Sequence, residues 1–176
     1  DYKILVTCAH VVGNFWGAPI EITGMLVVGN LGKYSRAVIA TIDLEHDLAL
    51  LRLAEVPQDF IDKEAQDGLV LVDANPNVGE PVGYAGFPLG QQLLNSTHAP
   101  TYAEGVIGAA LRHTGVRKSI QITGAVAGGF SGSPVVLKGT DKLIGVLSNS
   151  PSKEAGQANI FLASSWEHVK ALAELS

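Results

Sequence analysis

Short apolar runs closed by turn residues dominate the chain, and most alternate apolar and polar positions with the period of two that half-buried strands require. Over Tyr2–Val12, Ile4, Val6 and Cys8 fall on one face and Leu5, Thr7 and Ala9 on the other, which predicts a strand. The same reading predicts strands over Ile20–Val28, Tyr34–Ile42, Leu48–Leu53 and Leu69–Val72. Leu48–Leu53 is almost continuously apolar and therefore central in its sheet. Asp59–Gly68 is polar and reads as a loop. Asn75-Pro76-Asn77 followed by Gly79 is the clearest break in the pattern and predicts a linker. Beyond it, Pro81–Gly86, Thr101–Leu111, Ile120–Thr123, Pro134–Leu137, Leu143–Ser148 and Asn159–Ala163 read as strands. Only the last segment has helical spacing, with Trp166, Val169 and Leu172 on one face. Ser164 and Glu167 have the spacing of a capping box at its start. These patterns divide the chain into a first half (1–75), a second half (76–163) and a terminal helix (164–176), together one domain.

Composition narrows the class. The chain has 176 residues, 47% of them hydrophobic and 16% charged, so it can bury a core and is no disordered tail. Twenty glycines and eight prolines favour a turn-rich all-β protein over a helix bundle. The net charge of −5 lacks the basic stripe of a nucleic-acid binder. No apolar run is long enough for a membrane helix. The single cysteine, Cys8, excludes an internal disulfide and points to a reducing, intracellular bacterial setting. The expected partner is a polypeptide substrate, with neither nucleic acid nor membrane.

Three local patterns carry chemistry. His10 ends the apolar run Val6–Ala9, Asp47 immediately precedes the run Leu48–Leu51, and Ser131 sits in the turn Gly128-Gly129-Phe130-Ser131-Gly132-Ser133-Pro134. A serine hydroxyl is a poor nucleophile near neutral pH and needs a neighbouring base. An imidazole can take its proton and return it to a leaving amine. A carboxylate on the other ring nitrogen fixes the tautomer and stabilises the imidazolium. The glycines let the backbone turn sharply, so that the N–H groups of Gly129 and Ser131 can form an oxyanion hole. Each pattern alone is common in turns. Their order, each at a strand boundary, is what makes a Ser–His–Asp nucleophilic site the expected reading. Ser133, followed by proline and less flanked by glycine, is the weaker nucleophile. Cys8 reads as a small core residue and His46 as a surface residue. His98, His113 and His168 have no second ligand at His-x-x-x-His spacing, so neither a metal nor another cofactor is expected.

At these residues the sequence resembles the trypsin/chymotrypsin-like serine peptidases, and within them the disulfide-free bacterial branch that includes the high-temperature-requirement (Deg) proteases. The segments LVTCAHVV, YSRAVIATIDLEHDLALLRL, NVGEPVGYAGFPLG, IQITGAVAGGFSGSPVV, LIGVLSNS and NIFLASSWEHV carry the likeness in order. It implies two six-stranded antiparallel β-barrels with a cleft between them, and peptide hydrolysis through an acyl-enzyme on Ser131. It also implies a substrate-binding strand over Gly145–Ser150, support of the triad aspartate by Ser148, and a specificity pocket walled by Ala125, Val126, Ala127 and Gly128 with Asn149 and Ser150. Ala125 stands where trypsin-like pockets carry an aspartate, so the resemblance implies small or medium apolar preference rather than Arg or Lys. Leu147, in place of a pocket histidine, argues against acidic specificity, and Phe130 argues against activation by N-terminal insertion. The family has a strand before the histidine strand. Its absence here implies a first barrel short of one strand and a domain cropped from a longer protein with other modules. An inert protease-like module that binds peptides or partners is the alternative. An α/β-hydrolase-type esterase fits less well, because its histidine comes last in the chain.

Overall fold

The computed structural model describes residues 4–13, 37–53, 68–88, 100–114, 117–125, 128–149 and 159–175. In chain order the elements are β1 (Ile4–Thr7), α1 (Ala9–Val12), β2 (Ala37–Asp43), β3 (Leu48–Leu53), β4 (Val70–Leu71), β5 (Pro81–Gly86), β6 (Thr101–Thr114), β7 (Arg117–Gly124), β8 (Pro134–Leu137), β9 (Lys142–Asn149), β10 (Ile160–Ser165) and α2 (Trp166–Glu174). The expected strand over Ile20–Val28 and the expected loop over residues 59–67 lie outside the described residues.

In the second half, β5 to β10 hydrogen-bond in the order β10-β7-β6-β5-β8-β9, and β10 also pairs with β9. The six strands therefore close into a barrel, which leaves none of them with an unpaired edge. The inward face of the alternation fills it: Val82, Tyr84, Ile107, Ile120, Ile122, Val135, Ile144 and Phe161 are all buried in one cluster. In the first half, β3 lies between β1 and β2, both antiparallel to it, as its continuous apolar run requires.

Strand β9 joins the two halves. Its Ile144 and Leu147 pack into the barrel interior. Its Leu143 and Val146 pack outward against Cys8, Leu48 and Leu50 of the first half and Val169 and Leu172 of α2. Burial on both faces explains why this strand is apolar at consecutive positions rather than alternately. The short β4 pairs in parallel with β9 through Val70 and Leu71.

Two local expectations are corrected. The strand expected over Tyr2–Val12 ends at Thr7, and Ala9–Val12 forms one helical turn. The cause is Asp47. Its carbonyl accepts the Ala9 N–H at 3.2 Å, in continuation of the β1–β3 register, while its Oδ1 accepts the His10 N–H at 3.0 Å, a side-chain bond at which the chain turns away from the strand. At the other end of the chain, the N-cap of α2 is Ser165 rather than Ser164, and no side chain caps it. Ser164 remains in β10, where its hydroxyl donates to the His46 carbonyl at 2.6 Å. That tertiary bond displaces the local cap. Among the described residues no helix is long and apolar enough to cross a membrane.

Candidate active site

The turn between β2 and β3 is built to present a carboxylate. Asp47 closes it in the left-handed region, at φ 55°, which aspartate tolerates better than most side chains. From there Asp47 Oδ2 lies 2.7 Å from His10 Nδ1. The Ser148 hydroxyl donates to the same oxygen, also at 2.7 Å. Asp47 is thus held by His10 through both backbone and ring, and by a strand of the second half. Burial opposes its charged form, but the bonds from the His10 ring, Ser148 and the His10 N–H outweigh burial and hold the carboxyl below its ordinary value. The side chain of His10 is 42% exposed and that of Asp47 13%, so the imidazole is open to a substrate while the carboxylate behind it is shielded.

The serine turn is held differently. Gly129 and Gly132 adopt φ 105° and 85°, conformations costly for any residue with a Cβ. A Cβ on Gly132 would collide with the Thr7 hydroxyl, and one on Gly129 with the Phe87 carbonyl. Phe87 N–H in turn donates to the Gly129 carbonyl at 3.2 Å. Phe130 anchors the turn in the barrel, 4% exposed and edge-on to Tyr84 with ring centroids 5.4 Å apart. Ser131 itself is exposed. Ser133 is 6% exposed, and its hydroxyl lies against Gly86, shielded from solvent.

One pair of residues on β9 ties these parts together. The Leu147 carbonyl accepts the Gly132 N–H from the serine turn and the Cys8 thiol from the histidine segment, both at 2.8 Å. The next residue, Ser148, holds Asp47. Gly132 therefore lies against Thr7 and Cys8, three and two residues before His10. The expected pocket wall is seen in part. Ala125 is exposed, and its carbonyl accepts the Tyr84 hydroxyl at 2.7 Å. Gly128 and the backbone of Asn149 are described, whereas Val126, Ala127 and Ser150 lie outside the described residues.

The model of the trypsin-like peptidase domain matches residues 1–146. The chain belongs to this family. The mouse peroxisomal leader peptide-processing protease is 29% identical over 154 residues, which cover 84% of this chain and 24% of that protein. The chain thus spans about a quarter of the length of this curated relative. Among solved structures, the active form of the Rv3671c protease of M. tuberculosis superimposes with a TM-score of 0.72 at 20% identity, covering 97% of this chain and 67% of that one. The HtrA-type protease AlgW with a decapeptide gives a TM-score of 0.70 at 21% identity, covering 99% of this chain and 48% of that one. These likenesses show the trypsin-like fold with its closed barrel and C-terminal helix, and the family makes the chain a serine endopeptidase domain by class.

Sequence reasoning missed two neighbours of the site. His46, expected on the surface, has a side chain only 15% exposed. It bonds Asp43 Oδ2 through Nδ1 at 2.6 Å and stacks on His168 of α2 at a centroid distance of 3.6 Å. The His-Asp dipeptide carried that signal weakly, since alternation places His46 opposite Asp47 but does not say what covers it. The other is Cys8. Its complete burial agrees with a core residue, but its sulfur also lies beside His10 and Asp47.

Proposed function

We propose that this domain hydrolyses peptide bonds through a triad of Ser131 as nucleophile, His10 as general base and then acid, and Asp47 as the group that orients and stabilises the imidazolium. The observation that carries the reading is the bonded series Ser148–Asp47–His10, with the serine turn fastened to the same stretch of β9. His10 takes the Ser131 proton as the hydroxyl oxygen attacks the scissile carbonyl. The tetrahedral oxyanion is received by the N–H groups of Gly129 and Ser131. The imidazolium then protonates the leaving amine, and water releases the acyl group by the same route in reverse. Losing one oxyanion donor typically slows such reactions by about a hundred- to a thousandfold. The exposure of Ser131 and the burial of Ser133 support Ser131 as the nucleophile.

Ala125 brings no carboxylate to the pocket, which supports preference for small or medium apolar residues over Arg and Lys. The HtrA-type relative is seen with a decapeptide, and an extended peptide along the exposed side of the site is the proposed binding mode here too. The test is a fluorophosphonate label read by intact mass. The wild-type protein should gain one label and Ser131→Ala none. A folded wild-type protein that stays unlabelled would overturn the hydrolytic reading and leave an inert binding module.

A further inference from the structure

We propose that Cys8, His10 and Asp47 form a zinc site that shuts the enzyme. One sulfur, one imidazole nitrogen and one carboxylate oxygen from these residues lie within 4.8 Å of one another. This is a mixed S, N, O donor set of the kind that suits zinc better than magnesium or calcium. Zinc bonds of about 2.0–2.3 Å in a tetrahedron put ligand atoms roughly 3.3–3.6 Å apart. The His10–Asp47 edge, now 2.7 Å, must open and the edges to sulfur must contract, by shifts on the order of 1 Å. The exposed ring of His10 can make such a shift.

The layering also fits a metal entering from solvent. Cys8 lies fully buried beneath, Asp47 is shielded, and His10 is the outer ligand. The fourth position is left for water. On binding, the Cys8 thiol gives up its proton to solvent and with it the bond to the Leu147 carbonyl, so affinity rises with pH. The metal takes the His10 nitrogen that now faces Asp47, and the base can no longer be oriented by the carboxylate. Binding itself is independent of the hydrolytic reading, whereas the inhibition rests on it. The sequence spacing of histidines hid this site because two of its ligands, Cys8 and Asp47, are not histidines, and Asp47 joins the other two only through folding.

Cobalt(II) and zinc(II) separate the two claims. Cobalt added to the whole domain should give one equivalent of binding with a thiolate-to-cobalt charge-transfer absorption that zinc displaces. Cys8→Ser should weaken zinc binding at least tenfold in a calorimetric titration, and His10→Ala, a change at an exposed ring that leaves the core intact, should do the same. Ser131→Ala should bind as the wild type does. Zinc should also slow fluorophosphonate labelling of the wild type far more than that of Cys8→Ser at equal concentration. No thiolate band, or equal zinc affinity in wild type, Cys8→Ser and His10→Ala, would overturn the site. Stoichiometric binding without slower labelling would overturn its inhibitory role. If the wild type is unlabelled without zinc, the hydrolytic reading fails while the band and the titrations still decide the metal site.

Discussion

The two arms of the candidate site are held by different physics. The His10–Asp47 arm is fixed by side-chain hydrogen bonds to a charged carboxylate. The Ser131 arm is fixed by backbone shape, with two left-handed glycines, a carbonyl clamp at Leu147 and Phe130 buried in the barrel. The first arm is therefore sensitive to charge and acidity. The second is sensitive to volume and to any added Cβ.

Substitutions should sort by arm. Asp47→Asn should lower kcat on a peptide substrate by about ten-thousandfold, because an amide cannot hold the imidazole in the working tautomer. A loss of less than tenfold would break the proposed role of this carboxylate. Phe130→Ala should cost about 3–5 kcal/mol of stability in denaturant unfolding, with no change in the shape of the pH profile of whatever activity remains. Ser148→Ala should have a smaller effect, about tenfold in kcat/KM, by removing one bond to a charged acceptor. The same bonds hold the Asp47 carboxyl below its ordinary value, so their stabilisation is present above the unfolded carboxyl value of about 4 and is lost as pH falls through the lower folded one. Ser148→Ala should therefore shrink the acid-induced loss of stability, measured as the denaturant midpoint between pH 5 and 2.

The smallest effect lies outside both arms. Burial, with the nearby His46, holds His168 below its ordinary value, while Asp43 and Glu167 pull the other way and Lys118 adds to the lowering. His168 Nε2 accepts the Lys118 N–H at 3.2 Å, a role that needs the unprotonated nitrogen. The unfolded chain takes up this proton first, so stability falls as pH drops below about 6.5. His168→Gln should flatten that slope without altering labelling at Ser131. An unchanged slope would separate His168 from the contact between α2 and the 43–47 turn.

Much of this was legible in the residues. Pro81–Gly86 and Pro134–Leu137 appear as strands with the expected bounds, because turn residues punctuate their ends. The order of His10, Asp47 and Ser131 along the chain is what makes a single site the expected reading. What was not legible is tertiary in origin. The alternation of Tyr2–Val12 does not reveal that the Asp47 side chain takes the His10 N–H, where the strand gives way to a helical turn. Ser164 has the right spacing for a cap, but the carbonyl of His46 claims its hydroxyl. The role of Leu147 as joint acceptor for Cys8 and Gly132 comes from its backbone, on which its side chain is silent.

The central claim is that His10, oriented by Asp47, activates Ser131. The most direct test is the second-order rate of fluorophosphonate modification at Ser131 in wild type and His10→Ala, with folding checked by circular dichroism. The account predicts at least a thousandfold slower modification in His10→Ala, in line with loss of a positioned base. Equal rates in two equally folded proteins would contradict it.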